Sequence, residues 1–182
     1  MTTASEQKLT PQLNLIKFPL NTSIDYELNE ETEWVQKLLM EMNENATDKK
    51  PLEWLAETYL SLDLTLTKKF KNEYGEYLLV KGSFAIKFVT ESVRTLKTVY
   101  EEQEQEFNAV FLDEAVLKTE DFKELDEVWL DNDNYDIYPL QKSNANIAEM
   151  LHERLFLSRD LYPLAPGEED LDASVETDKP RQ

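Results

Sequence analysis

The stretch Leu60-Ser61-Leu62-Asp63-Leu64-Thr65-Leu66-Thr67 decides the fold class of this chain. Leucine fills every second position and a polar residue every other, a period of two, which is the pattern of a β-strand with one face buried. After a polar turn holding Gly75, residues 77–90 repeat the alternation through Phe84, Ile86 and Phe88. Gly82 inside that run predicts a bulge or a close approach to the backbone. Residues 96–100 and 107–112 are further strand candidates. Residues 13–20 (LNLIKFPL) read as a short strand whose end Pro19 confines to an edge or terminus. Residues 135–140 read as one more edge strand, because Pro139 cannot donate to a ladder.

Two segments change period. Trp34, Val35, Leu38, Leu39 and Met42 recur at three- and four-residue spacing, which predicts an amphipathic helix over 30–42 with Asn29 or Thr32 as its cap. Residues 146–159 predict a second helix. Ile147, Met150, Leu151, Leu155 and Leu157 lie on its buried side, Ser143 or Asn144 caps it, and Arg154 and Arg159 sit near its negative end. Residues 43–50 are polar and turn-like, and Pro51 closes them. Residues 122–136 are acidic, with Leu125, Val128, Trp129 and Leu130 as anchors. The sum is an α+β domain: an antiparallel sheet or partly open barrel of about five or six strands, covered by two or three helices. Its expected extent is 11–165, between a disordered N-terminus (1–10) and a disordered acidic tail (166–182) poor in large apolar groups.

Composition removes several function classes. The 182 residues hold 38 Asp and Glu against 19 Lys and Arg, a net charge of −19, which disfavours free-standing nucleic-acid binding and favours a basic partner. There are no cysteines, so disulfides, thiolate metal sites and a Cys nucleophile are absent. Residues 1–9 lack the apolar core of a signal peptide, and no run reaches the roughly 18 apolar residues of a spanning helix. A cytoplasmic protein without membrane contact is expected.

Catalytic constellations fail in turn. Asp131, Asp133 and Asp136 have calcium-loop spacing at first sight, but Tyr135 and Asp136 stand where a fifth-position ligand and a glycine are needed. His152 is the one histidine, with Glu149 and Glu153 as helical neighbours and no converging partners. Ser92 and Ser158 lack a triad partner, and the three glycines form no phosphate loop. The expectation is a protein that is not an enzyme, with no cofactor, no metal and no small-molecule substrate.

Charge is unevenly distributed. Residues 101–136 carry fourteen acids against two lysines, whereas 68–97 carry Lys68, Lys69, Lys71, Lys81, Lys87, Arg94 and Lys97 against three acids. On a strand, Lys81, Ser83, Ala85 and Lys87 share the face opposite Phe84, Ile86 and Phe88. These seven basic residues are the candidate contacts for RNA phosphates or an acidic partner surface. The ordinary alternative is a solvated strand face paired with acids from 101–106.

Two stretches carry a family resemblance. Glu91-Ser92-Val93-Arg94-Thr95-Leu96, after Gly82-Ser83-Phe84, resembles the centre of the YceD-like family, where a strand leads into Cys-x-Arg-Cys-Leu. Arg94 and Leu96 match, while Ser92 and Thr95 stand in place of the two cysteines. Ile147, Glu149, Glu153, Leu155, Leu157 and Pro163 resemble the family's C-terminal pattern, after which many members continue with further cysteines. Here Ala165 and residues 168–170 stand instead, so both cysteine clusters are missing together. The resemblance covers roughly 59–165. It implies a role in ribosome biogenesis, supporting large-subunit ribosomal RNA accumulation. The resemblance does not say whether the contact is to RNA or to protein; the net charge favours a basic ribosomal or assembly protein, with ribosomal RNA contact confined to 68–94. The rival expectation is an acidic nucleic-acid mimic or inhibitor whose face, 101–136 and the tail, carries carboxylates on one ordered surface and occupies a basic, DNA-binding partner.

Overall fold

The computed structural model describes residues 8–45 and 50–168. The leucine alternation forms β3 (Tyr59–Lys71), flanked in chain order by β1 (Gln12–Asn14) and β2 (Ser23–Asn29) before it. After it come β4 (Gly75–Glu91), β5 (Thr98–Asp113), β6 (Glu127–Leu130), β7 (Asp133–Leu140) and β8 (Asn144–Asn146). Six strands make one open sheet in the order β2-β3-β4-β5-β7-β6, and β1 pairs separately with β8. All neighbours in the large sheet run antiparallel except β5 and β7, which are parallel. The connection between those two strands is long enough for a crossover because it contains a short helix, α2 (Glu114–Leu117), and β6.

One face of the sheet is the main core. Leu60, Leu62, Leu64 and Leu66 of β3 and Leu78, Val80, Phe84, Ile86 and Phe88 of β4 are buried there. They pack beneath α1 (Glu33–Met42) and α3 (Ile147–Leu157), which contribute Val35, Leu38, Leu39, Met42, Ile147, Met150, Leu151 and Leu155. Gly82 makes close approach possible here: a Cβ at that point would lie 2.6 Å from Phe107 Cζ and 2.7 Å from Leu64 Cδ2. The β3–β4 and β4–β5 registers run through Gly82 without a bulge. Gly75 adopts φ +69° at the β3–β4 turn, a conformation that glycine enters at no steric cost.

The opposite face is apolar toward its two ends, where Val89 packs with Trp54 at the β4–β5 turn end and a cluster larger than this pair forms at the other. Tyr77, Leu79, Val110, Leu112, Leu130 and Tyr135 form a second, smaller core, with Tyr74, Leu117 and Phe122 packed against it. The unbroken apolar runs 77–80 and 109–112 reflect burial on both faces, as in a covered strand.

Several expectations change. Residues 13–20 hold only the end of β1, then a 3-10 turn, Leu15–Lys17, capped by the Asn14 side chain. The two candidates at 96–100 and 107–112 are one strand, β5, whose polar middle follows the pleat. β7 is interior rather than an edge. Ile137 N–H donates to Asp126 O on the β6 side, so the Pro139 nitrogen faces the same way, past the start of β6, where no donor is needed. Asn146, not Ser143 or Asn144, caps α3 by accepting from Glu149 N–H at 3.0 Å. Lys142 and Ser143 instead have positive φ, as do Asp131 and Asn132 between β6 and β7, the geometry of two-residue hairpin turns. Trp129, Leu125 and Leu157 are exposed, so of these expected anchors only Leu130 is fully buried and Val128 partly so.

The domain also exceeds 11–165. Leu9 is buried, and its carbonyl accepts from Trp34 Nε1 at 3.0 Å. Glu168 is buried at the other end. The expected disorder at 1–7 and 169–182 lies outside the described residues. Among the described residues, no helix is long and apolar enough to cross a membrane.

Candidate functional site

The turn from β4 to β5 is built around Ser92. Its N–H donates to Lys97 O at 2.8 Å, closing the loop, and its fully buried hydroxyl oxygen accepts from Arg94 N–H at 3.1 Å. The C-terminal segment returns to this turn after α3. Val93 N–H donates to Pro163 O at 3.0 Å, and Glu168 closes the junction. The Glu168 carboxylate accepts from Ser92 Oγ at 2.5 Å, from Thr95 Oγ1 and from Ala165 N–H at 2.9 Å. Two stretches about seventy residues apart in sequence thus meet on one carboxylate. Ser92 and Thr95 are the positions that the resemblance gives for two cysteines, and Ala165 and 168–170 stand where further family cysteines follow the proline.

Hydrogen bonds from Ser92 and then Thr95 hold the Glu168 carboxyl below its ordinary range, against the opposing effect of desolvation. A carboxyl lowered on folding contributes stability that is present above its unfolded pKa and lost as pH falls through the folded one. The 163–168 segment therefore loosens from the β4–β5 turn on acidification below the usual carboxyl range. The expected readout is faster hydrogen exchange of the Val93 amide, relative to its intrinsic rate, as pH falls. Glu168→Gln removes that pH dependence. A Val93 protection factor that stays constant across the acid range in the native chain contradicts the charged clasp.

The seven basic residues do not converge. Lys68 is a correction: it is only 5 % exposed and faces the main core. Its Nζ donates to Leu15 O at 2.7 Å and to Phe18 O at 3.2 Å, and it lies 3.3 Å from Glu76. It is a pin for the 3-10 turn, placed inward because it continues the buried alternation of β3. Lys71 lies over the Tyr74 ring at the β3–β4 turn, while Arg94 and Lys97 belong to the opposite, β4–β5, turn. Lys81 and Lys87 do share the open sheet face. Lys81 is bound to Asp133 at 2.8 Å, a hydrogen bond that raises its pKa, and Lys87 lies over Tyr100 in register with Glu102.

That open face is predominantly acidic. Across the strands one row reads Glu27, Asp63, Ser83, Glu106, and neighbouring positions add Asp25, Glu104 and Glu102. Like charges directly opposite each other, as at Glu27 and Asp63, oppose pairing. An open trough of about 500 Å³ lies over Asp25, Asp63 and Glu106. The 101–136 acids as a whole are divided: Glu102, Glu104 and Glu106 point to this face, Glu101 to the other, and Glu114, Glu120, Asp121, Glu124 and Asp126 lie in the connection. The single ordered acidic face that a nucleic-acid mimic needs is not formed by this run.

The remaining candidates part company in space. Asp133 serves Lys81, while Asp136 pairs with Arg154 of α3, which also donates to Tyr138 Oη at 3.1 Å. Burial pushes the Tyr138 hydroxyl up to about 12 despite the nearby guanidinium. Arg154 was expected only near the helix end; its contacts to β7 come from the tertiary fold. Arg159, in contrast, does reach a terminal carbonyl, Phe156 O, at 3.2 Å. His152 binds Glu41 of α1 at 3.1 Å and stacks near Phe156, a helix-to-helix contact. Glu149 interacts with the Asn146 cap, Glu153 is exposed, and Pro163 is buried at the junction. Among the described residues no group of three or more His, Cys, Asp or Glu is arranged to hold a metal ion.

These features define an α+β domain with an open mixed sheet, one acidic face and a polar junction between the β4–β5 turn and the C-terminal segment. Comparison with protein families, curated proteins and solved structures returns no match.

Proposed function

We propose that this chain is a diverged, metal-free member of the YceD-like family that acts without catalysis in ribosome biogenesis, supporting large-subunit ribosomal RNA accumulation. The observation that carries the reading is the junction itself. Ser92 and Thr95 meet the segment holding Ala165 through Glu168, so positions where the family resemblance places cysteines come together in space. In this chain hydroxyls and a carboxylate join the two segments without a thiolate.

The contact is with protein in the first place. A net charge of −19 and the acidic sheet face repel phosphates and attract a basic ribosomal or assembly protein. The dispersal of the lysines, with Lys68 buried and Lys81 bound to Asp133, leaves RNA a subsidiary role. Depletion of the protein in its source cells, followed by sedimentation of ribosomal subunits, tests the reading. The expected result is a deficit of large subunits relative to small. Unchanged profiles, with no ribosomal component retained by the tagged chain, contradict it.

A further inference from the structure

Beside the junction lies a cavity of about 340 Å³, between the β4–β5 turn and residues 159–163. Its rim is unusually apolar for an exposed surface: Val93 is 53 % exposed, Leu96 68 % and Leu161 75 %. Leu96 also sits at φ +61°, where a side chain is strained and glycine is the ordinary choice. Folding alone therefore does not account for an exposed leucine at this position. Single exposed apolar groups need no explanation, but a contiguous set around a cavity marks an interaction surface.

The walls supply charge. Glu91, Glu101, Asp160 and Arg159 line the cavity, three carboxylates against one guanidinium. Arg159 lies 4.2 Å above the Phe156 ring and donates to Phe156 O, so it offsets only part of that negative charge through its effect on Glu101. Glu101 Oε1 accepts from Asp160 N–H at 3.0 Å, but Oε2 is shut off from water and, among the described residues, receives no hydrogen bond. Glu91 Oε1 is in the same condition. Buried carboxylate oxygens without donors are costly, and the terminal torsion of a glutamate is soft enough to turn them toward a donor entering the cavity.

We propose that this cavity docks an arginine or lysine side chain of a partner protein, held between Glu91 and Glu101, while apolar residues beside it cover Val93, Leu96 and Leu161. The inference rests on the reading of this chain as a binder of a basic protein and gives that reading a location away from the acidic sheet face. Burial raises the Glu101 carboxyl above its ordinary range, against the Asp160 N–H hydrogen bond and the Arg159 charge, and an incoming cation relieves that cost.

The test is titration of the full chain, followed by residue-resolved NMR, with the peptide acetyl-Leu-Arg-Leu-Arg-Leu-amide. An otherwise identical peptide carries uncharged citrulline in place of arginine. Shifts are expected at Glu91, Val93, Leu96, Glu101 and Leu161 with the arginine peptide, and binding roughly tenfold weaker with citrulline. Glu101→Gln weakens arginine binding by a similar factor. Leu96→Gly weakens it without lowering the melting temperature, because glycine suits φ +61°. Equal binding of both peptides, no saturable shifts, or shifts centred on Asp25, Asp63 and Glu104 overturn the site. If Leu96→Gly with Glu101→Gln folds and still supports normal large-subunit levels, the cavity is excluded while the biogenesis reading stands. An unchanged subunit profile on depletion instead removes the reading itself.

Discussion

Replacing Lys68 with alanine lowers the unfolding free energy by about 3 kcal/mol, because two buried carbonyls and a carboxylate lose their donor at once. Lys68 Nζ holds Leu15 O and Phe18 O and lies beside Glu76, in a side chain that is almost wholly enclosed. Leaving buried acceptors unsatisfied costs about 1–3 kcal/mol each, although the two backbone oxygens share one donor and their losses do not simply add. For a domain of this size the midpoint of thermal unfolding falls by roughly 6–12 °C. Lys68→Met is the informative companion. It keeps the aliphatic stem and removes only the donors, so it should retain most of the loss. Lys69→Ala, on the other face of the same strand, changes stability by less than about 0.5 kcal/mol. Equal melting temperatures for the Lys68 and Lys69 variants would show that the ammonium does not pin the 3-10 turn.

Gly82→Val is expected to cost about 3 kcal/mol for the opposite reason, overpacking. Even a Cβ at this position would lie within 2.7 Å of atoms from both Phe107 and Leu64, and valine adds two methyl groups beyond it. Gly82 has no left-handed φ, so the penalty is one of space and not of backbone conformation. Space can be restored. Phe107→Leu shortens the nearer obstacle, and the double variant should be more stable than the two single losses predict, with a coupling of about 1 kcal/mol or more. Urea unfolding of the four proteins in the cycle measures it. Strict additivity would place the clash elsewhere.

Sequence reading was strongest where one face alone is buried. The leucines of β3 and the helical spacing in α1 and α3 are set by a single environment on each side, so their periods survive intact. It was weakest in β2, which was not recognised because its alternation is brief, with Ile24 and Tyr26 between Ser23, Asp25 and Glu27. β5 was split in two because its middle, 101–106, is polar on both faces and owes its strand state to pairing with β4. The pair of unbroken apolar runs, 77–80 and 109–112, is the mark that the second core leaves in the sequence. In the site, no local period or composition brings Ser92, Thr95 and Ala165 together on Glu168; their meeting depends on the return of the C-terminal segment to the β4–β5 turn.

By itself, the sequence determined the α+β class, the buried face of β3 and β4, the two amphipathic helices and the excess of negative charge. Each depends on local period or on composition, which need no knowledge of distant neighbours. Only the tertiary structure decided that β7 runs parallel to β5, that Lys68 turns inward, and that Glu91 and Glu101 line one cavity. It also decided that Glu168 closes on Ser92 and Thr95. A residue's period says which face it occupies. Its partners depend on which elements pack together and at what register, and those follow from burial and hydrogen bonding summed over the whole chain.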